Sequence, residues 1–328
     1  MRTKFRYMFF ILLNVVLACI TVIFILKSTP QLLVGLPPEH FPSNVGIFLA
    51  ETTKTLEPSF LTLCAVESAA RMYPDRPVFF YMNGLSKHMI LGENSKHRAL
   101  PMLSKIPNVH LQPLDFEEML KDLPLNYWYQ KINMSTECLW TLISSHAFRL
   151  ALIWRYGGIY FDTNVISLKP IPDKEFVVCA YNLTHISNRI FGFPQNHQFL
   201  WDCMENFVKS YKGAAWGSKD PQLITRVLKN WCELPKLKNQ EDSKCQNISY
   251  LHPIRFFPIP SGKQEKYFQT WDSKNTFENS YGLYFFNHMS HRHKQVVVGN
   301  NSLGEHLYIQ YCPNTYEILV QNKCRSLQ

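Results

Sequence analysis

The chain has 328 residues, of which 46% are hydrophobic and 18% are charged, and its formal net charge is +9. A chain of this length and composition can bury a full core in one large domain or in two small ones. Its basic residues are scattered and form neither a dense block nor a basic helix face, which argues against nucleic acid as a partner. The charge instead favours an anionic substrate or a membrane or glycan surface.

The first predicted element is an uncharged, apolar run at residues 8–26, which follows Arg2, Lys4 and Arg6. A run of this length just spans a bilayer, whereas a cleaved signal peptide has a shorter apolar core and a cleavage site of small residues. The positive-inside rule keeps the basic flank in the cytosol. We therefore expect a type II membrane protein with a cytoplasmic tail at 1–7, a transmembrane signal anchor at 8–26, a Pro-rich stem at 27–44 and a lumenal domain at 45–328.

Strands and helices alternate through the first part of this domain. Apolar runs predict strands at 45–50, 77–82, 108–114 and 159–161, and helical periodicity predicts helices at 59–72, 116–122 and 136–156. The third helix is expected to bury Leu139, Leu142, Ile143, Leu150 and Ile153. The alternation predicts an α/β fold with a doubly wound, mostly parallel sheet. Beyond residue 200 the pattern is irregular and rich in aromatic residues, so we expect a second half, 201–328, packed on the core of the first half, 45–200.

Two further features agree with a lumenal domain. Four Asn-x-Ser/Thr sequons predict N-glycosylation at Asn133, Asn182, Asn247 and Asn300. Eight of the nine cysteines lie outside the apolar run, and none has the C-x-x-C spacing of a zinc site. A bridge between Cys232 and Cys245 would close a polar loop, and one between Cys312 and Cys324 would tie down the C-terminus. The sequence leaves the connectivity open.

An acidic turn, Asp162-Thr163-Asn164, follows the predicted strand at 159–161. Open α/β sheets bind ligands at the carboxyl ends of their strands, so Asp162 is placed where a ligand would lie. Two carboxylates spaced as Asp-x-Asp could hold a divalent cation, but Asn164 offers only a neutral amide oxygen. Taken alone, the three residues are also an ordinary polar turn at the end of a strand.

The residues around this turn carry a resemblance to a known family. Ser144 through Arg149, Gly157-Gly158-Ile159-Tyr160 and Asp162-Thr163-Asn164 resemble the donor-site signature of the DxD sugar transferases. The runs 51–53, 64–74, 201–207 and 251–253 resemble the vertebrate α1,4-glycosyltransferases, and the likeness extends over residues 45–320. It implies a GT-A-like fold, a UDP-sugar donor, Mn²⁺, location in the Golgi membrane, and transfer with retention to a terminal β-galactose on glycoprotein or glycolipid.

The resemblance also implies roles for individual residues. Asp162 would contact the ribose and the metal, and Asn164 would occupy the main metal-ligand position. Arg149 would orient the uridine and His146 would touch the ribose, while Glu51 and Thr52 would lie near the base. On this view, residues 45–200 bind the nucleotide sugar and residues 201–328 form the acceptor side. No protein nucleophile is assigned.

Three residues of the second half are candidates for contact with the acceptor or the diphosphate. They are Gln222, Asn287 and His288. Gln222 lies in a segment that resembles a family loop, but it also suits the start of a helix. Asn287 and His288 follow an aromatic strand, where a histidine is often structural.

Two positions depart from the family signature, because His146 and Asn164 stand where it has aspartate. Either the changes are tolerated in a working enzyme, or the chain is a weakened, metal-shifted or silent Golgi relative that binds glycans or another transferase. For a working enzyme we favour transfer of N-acetylglucosamine to O-glycans, and the alternative is an α1,4-galactosyltransferase acting on glycosphingolipid.

Overall fold

The computed structural model describes residues 31–32, 34–91, 99–137, 139–180, 183, 185–212, 222–237, 239–272, 277–285 and 296–326. The predicted cytoplasmic tail and signal anchor lie outside these described residues. Within them, no helix combines the length and the apolar character needed to cross a membrane.

The described strands and helices follow in chain order. The strands are β1 (Gln31–Leu32), β2 (Ile47–Glu51), β3 (Val78–Met82), β4 (Ile90–Leu91), β5 (Val109–Pro113), β6 (Gly158–Phe161), β7 (Val165–Ser167), β8 (Phe176–Cys179), β9 (Ile186–Phe193), β10 (Ser243–Cys245), β11 (Ile248–Leu251) and β12 (Gly282–Tyr284). The α-helices are α1 (Phe60–Met72), α2 (Ala99–Ser104), α3 (Phe116–Leu120), α4 (Pro124–Lys131), α5 (Trp140–Tyr156), α6 (Gln198–Ser210), α7 (Leu223–Trp231), α8 (Leu303–Tyr311) and α9 (Pro313–Ser326). Short 3₁₀ segments lie at Pro38–His40, Pro253–Arg255 and Ser261–Phe268.

The main sheet has eight strands in the order β10-β11-β8-β9-β6-β2-β3-β5. Among the described strands of this sheet, four pairings are parallel and three are antiparallel. This confirms the predicted α/β class and a mostly parallel sheet. The parallel block β6-β2-β3-β5 brings the carboxyl ends of its strands to one edge. Strand β9 runs antiparallel beside β6, so its first residues lie at that same edge.

Side chains alternate between the two faces of the sheet, as the two-residue period of a strand requires. On one face Phe48, Phe79 and Phe191 belong to a core cluster that includes residues of α3 to α7. On the other face Ile47 and Phe80 pack with α1. A third cluster joins the small β7–β12 sheet to α8 and α9.

The helix predicted at 136–156 begins later, at Trp140, because residues 134–136 form a turn that ends before the helix. Ile143, Leu150 and Ile153 are buried as expected, but Leu142 is 43% exposed and its prediction was wrong. Leu142 lies about 100° around the helix axis from Ile143, which moves its side chain off the face that meets the sheet.

Part of the predicted stem packs on the domain. The Gln112 amide donates to the carbonyl oxygens of Gly35 and Leu36, each at 3.0 Å. The Phe41 ring meets the Phe79 ring edge-on at 5.4 Å, and the Gln195 backbone N–H donates to Asn44. Residues 34–44 therefore form a strap along the domain surface, since their backbone groups and rings find partners there.

The structure contains two disulfides among its described cysteines. Cys232 pairs with Cys245, as one of the considered pairings had it. Cys312 pairs with Cys64 and not with Cys324. The reason is spatial, because α1 and the end of α8 meet with the two Cα atoms 5.1 Å apart despite a separation of 248 residues.

The start of α9 is also fixed by a buried carboxylate. Glu67 on α1 is fully buried and accepts hydrogen bonds from the backbone N–H groups of Asn314 and Thr315 and from the Thr315 hydroxyl, at 2.7–2.9 Å. Glu67, Thr315 and the Cys64–Cys312 bridge are referred to below as the C-terminal anchor.

Candidate functional site

Two glycines form the tight connection between α5 and β6, a central strand of the main sheet. Gly157 and Gly158 have φ values of +63° and +112°, in the region that favours glycine. A Cβ on Gly158 would also collide with the carbonyl oxygen of Gly46 on the approach to β2. This tight turn lets β6 begin immediately between β2 and β9, and it brings Asp162 to the carboxyl end of β6.

The acidic turn closes on itself. The Asp162 Oδ1 atom accepts one hydrogen bond from the Asn164 backbone N–H at 3.1 Å and another from the Asn164 side-chain amide at 2.6 Å. Both side chains are half-buried. The Asn164 carbonyl oxygen accepts from the Phe285 N–H at 2.9 Å, which ties the turn to the end of β12. In this arrangement Asn164 acts as a donor to Asp162.

Glu51 and Thr52 lie at the end of β2, the parallel neighbour of β6, so the predicted base-side residues share the edge with Asp162. Glu51 accepts from the backbone N–H and hydroxyl of Thr53. The buried Thr52 hydroxyl donates to the Thr141 carbonyl at 3.1 Å and thereby fixes the start of α5 against β2.

His146 and Arg149 project from α5 and are 7% and 5% exposed. All three guanidinium nitrogens of Arg149 donate to the protein, at 2.8–3.0 Å, to the Ser145 carbonyl and hydroxyl and to the Asn188 carbonyl. Burial, and then the charges of Arg149 and Arg189, hold the pKa of His146 well below its ordinary value. His146 is therefore neutral at physiological pH.

The charged groups of this edge act on the pKa of Tyr160. Its ring lies beneath the Arg149 guanidinium, 4.7 Å from the ring centre. Burial raises the pKa of Tyr160 to about 12, and Asp162 and Glu51 add to the rise while Arg149 opposes it. The two carboxylates thus act on one buried phenol from adjacent strands.

Sequence reasoning missed Arg189, on β9. The Asp162 N–H donates to the Arg189 carbonyl at 2.8 Å, and the Arg189 Nε donates to the Tyr284 hydroxyl at 2.8 Å. Burial by itself lowers the pKa of Arg189, but Tyr284 and Asp162 raise it above the ordinary value. A single arginine carries no motif; the signal was the polar pair Asn188-Arg189 inside an otherwise apolar strand.

Gln222 is exposed at the start of α7. The Thr225 hydroxyl, one turn into that helix, accepts from the Ile186 N–H at 2.9 Å. Ile186 opens β9, so the beginning of α7 lies at the edge that carries Asp162. Asn287 and His288 lie outside the described residues, although Phe285, two residues before Asn287, is bonded to Asn164.

The sequons are accessible where the structure describes them. Asn133, Asn247 and Asn300 are exposed, and Asn182 lies outside the described residues.

Few groups at the edge can hold a metal. No cluster of three His, Cys, Asp or Glu side chains suited to an ion occurs in the part of the chain that the structure describes. Within the acidic turn, the oxygen ligands are the Asp162 carboxylate and, once its amide turns over, the side-chain carbonyl of Asn164. This pair fits a weakly held hard cation such as Mg²⁺ or Mn²⁺.

Comparisons with known proteins place the chain in a class of enzymes. Residues 59–185 match the family described as glycosyltransferase sugar-binding region containing DXD motif. Residues 192–319 match the α1,4-glycosyltransferase conserved region. Together these two matches identify the chain as a glycosyltransferase.

Relatives narrow the class. The chain is 47% identical to human alpha-1,4-N-acetylglucosaminyltransferase over 276 residues, which cover 84% of this chain and 81% of that protein. It is 34% identical to human lactosylceramide 4-alpha-galactosyltransferase over 296 residues, which cover 88% and 82%. The chain belongs to the α1,4-glycosyltransferase family.

Solved structures give weaker likenesses. PaToxG glycosyltransferase matches with a TM-score of 0.43 and 18% identity over 62% of this chain and 71% of that one. The galactosyltransferase LgtC, solved with donor and acceptor sugar analogues, matches with a TM-score of 0.34 and 12% identity over 73% and 86%.

Proposed function

We propose that this protein transfers N-acetylglucosamine from UDP-N-acetylglucosamine, with retention and in α1,4 linkage, to a terminal β-galactose of O-glycans. The observation that carries the choice of donor is the 47% identity to the N-acetylglucosaminyltransferase, against 34% to the galactosyltransferase. The edge that gathers Glu51, Arg149 and Asp162 is suited to a nucleotide sugar, because it combines carboxylates with guanidinium groups.

Different side chains of the site contact different parts of the donor. Asp162 meets the ribose, and Glu51 and Thr52 border the base. Arg149 bonds Ser145 on its own helix and Asn188 on β9, so it holds α5 against β9 beside the acidic turn. His146 offers a neutral hydrogen-bonding group to the ribose.

Glycosyltransferases with a DXD motif are in general dependent on a divalent metal. A bound cation neutralises charge on the leaving diphosphate. We propose Mn²⁺, held by Asp162 and the amide oxygen of Asn164. Its affinity is reduced relative to a two-carboxylate site, since Asn164 brings no charge.

Two alternatives have specific support. The 34% identity over 88% of the chain supports an α1,4-galactosyltransferase acting on glycosphingolipid. The replacement of two family aspartates by His146 and Asn164 supports a weakened or silent relative.

We place the protein in the Golgi membrane as a type II protein with a lumenal domain. The two disulfides and the three exposed sequons support an oxidising, glycosylating compartment. The apolar run at 8–26 supports the anchor.

The test uses purified full-length protein in detergent. It is incubated with Mn²⁺, with UDP-N-acetylglucosamine or UDP-galactose, and with an aryl β-galactoside or lactosylceramide. NMR of the product identifies the linkage. Product from UDP-N-acetylglucosamine and the aryl galactoside supports the proposal, and product from UDP-galactose and the glycolipid supports the first alternative. No product, together with no thermal stabilisation by UDP, would establish the silent relative.

A further inference from the structure

Two arginines lie near Asp162, and they differ in how many of their N–H groups are unpaired. Arg149 bonds three of its five N–H groups, one from each guanidinium nitrogen, to protein acceptors. Arg189 uses only Nε, on the Tyr284 hydroxyl, and its two terminal nitrogens have no acceptor among the residues that the structure describes. Its side chain is partly exposed. Arg189 therefore presents unused N–H groups at the edge of the sheet.

The position of Arg189 is fixed by its neighbours. Its backbone carbonyl holds the Asp162 N–H, and its guanidinium lies over the Tyr284 ring, 5.1 Å from the centre. Tyr284 pairs with Val165 across the β7–β12 sheet, directly after the acidic turn. The Arg189 backbone is thus held by the acidic turn and its guanidinium by Tyr284, so little conformational freedom is lost when it binds a ligand.

The charge of Arg189 also acts on His146, on α5. Burial is the main cause that holds the pKa of His146 well below its ordinary value, and the charges of Arg149 and Arg189 add to it. Burial lowers the pKa of Arg189, and the effects of Tyr284 and then of Asp162 outweigh it. The edge of the sheet carries two guanidinium groups and two carboxylates, Asp162 and Glu51, so it can accept an anionic ligand without a large repulsive charge.

The acidic turn has one carboxylate, so it attracts a divalent cation less strongly than a turn with two carboxylates does. The Asn164 amide donates to the same Asp162 oxygen that could bind a cation, at 2.6 Å. A planar guanidinium recognises phosphate through paired N–H···O bonds and stays charged at all relevant pH values.

We propose that Arg189 binds the diphosphate of the donor. Its positive charge replaces part of the charge of a metal ion, which binds weakly because Asn164 is neutral. The donor site then binds a nucleoside diphosphate in the absence of divalent cations, and Mn²⁺ strengthens binding only modestly. This inference rests on the proposed function, since it assumes that the edge binds a UDP-sugar.

The experiment is a calorimetric titration of UDP into full-length protein in detergent, first in EDTA and then in Mn²⁺. Wild-type protein is expected to bind UDP in EDTA. Arg189→Ala should weaken that binding by about 10- to 100-fold, the range for a charge-assisted hydrogen bond pair. Arg255→Ala is the matched control, because Arg255 also lies over a tyrosine ring but bonds Asp242, which no part of the proposal uses. This control should bind UDP as wild type does.

Two more variants keep the test decisive. Arg189→Lys retains the charge without the planar fork and should bind with intermediate affinity, so it carries the test if Arg189→Ala unfolds. Asn164→Asp should reverse the pattern: weaker UDP binding in EDTA, because a negative charge is added, and a larger gain on adding Mn²⁺.

The outcomes separate the inference from the function beneath it. UDP binding that requires Mn²⁺ and is the same in the two Arg189 variants overturns the inference and leaves the proposed function standing. Metal-free binding that ignores Arg189 also overturns it. No UDP binding in either condition removes the proposed function and the inference together.

Discussion

The C-terminal anchor and the acidic turn each rest on a carboxylate, and the two are used in opposite ways. Glu67 in the anchor is fully buried, and both of its oxygens accept hydrogen bonds from the start of α9. Asp162 in the turn is half-buried. Only its Oδ1 accepts hydrogen bonds within the described part of the chain, and both come from Asn164.

This difference distinguishes a structural carboxylate from one that can bind a ligand. A buried group whose acceptors are all filled has nothing left for a ligand, and its loss leaves N–H groups unsatisfied. A half-exposed group with an open oxygen can accept a ribose hydroxyl or a metal at little cost to the fold. The comparison predicts that changes at the two carboxylates affect different measurements.

The largest effect is expected at the acidic turn. Asp162→Asn should lower transferase activity by about 1000-fold, because it removes the only carboxylate of the turn. The turn then holds less firmly the cation that stabilises negative charge on the leaving diphosphate, a loss of several kcal/mol. The midpoint of thermal unfolding should change little, since the amide can keep the bonds to Asn164. Turnover of the UDP-sugar and a melting curve measure the two quantities.

A matched control for Asp162 is Asp173→Asn, another half-buried aspartate, which accepts from the Ser249 hydroxyl away from the turn. It should retain full activity. If Asp162→Asn stayed as active as this control, the acidic turn would have no part in the reaction.

The anchor should show the reverse pattern. Glu67→Ala removes three hydrogen bonds from the start of α9 and leaves a cavity, so we expect the free energy of unfolding to fall by about 3 kcal/mol. Activity measured well below the melting temperature should be retained. Chemical denaturation measures the loss, and Glu117→Ala, at an exposed glutamate, serves as the control. A stable Glu67→Ala protein that had lost activity would contradict the division between the two regions.

The parallel block was predictable because its strands are buried on both faces. The runs that became β2, β3, β5 and β6 are apolar and bounded by polar turns, so their ends were placed within two residues. Strand β9 was not predicted, since Asn188 and Arg189 interrupt its apolar pattern. Its partner β6 holds it in place through tertiary pairing, which local sequence does not encode.

The site was predictable to the extent that it follows from strand ends. Asp162, Glu51 and Thr52 share an edge because β2 and β6 are parallel neighbours, and His146 and Arg149 share an α5 face because they are three residues apart. The hydrogen bonds could not be foreseen. The number of unpaired N–H groups on Arg149 and on Arg189 depends on the positions of the Ser145, Asn188 and Tyr284 oxygens. Residues far apart in sequence set those positions.

The smallest expected effect concerns pH. The pKa of His146 is depressed in the folded protein by burial and by Arg149 and Arg189, whereas in the unfolded chain it returns to about 6.5. Below that pH the unfolded state binds more protons than the folded state, so the free energy of unfolding falls as the pH falls towards the folded pKa. At higher pH both states are neutral and His146 has no such effect.

His146→Asn should therefore flatten the fall in melting temperature between about pH 7.5 and about pH 5 relative to wild type. His40→Asn, at an exposed histidine of the strap, should leave the wild-type slope unchanged. Adding Arg189→Ala to His146→Asn should leave the flattened slope unchanged, because without the imidazole the charge of Arg189 has no proton to oppose. A wild-type slope in His146→Asn would mean that His146 binds a proton in the fold as readily as in the unfolded chain, and that burial and the two arginines do not depress its pKa.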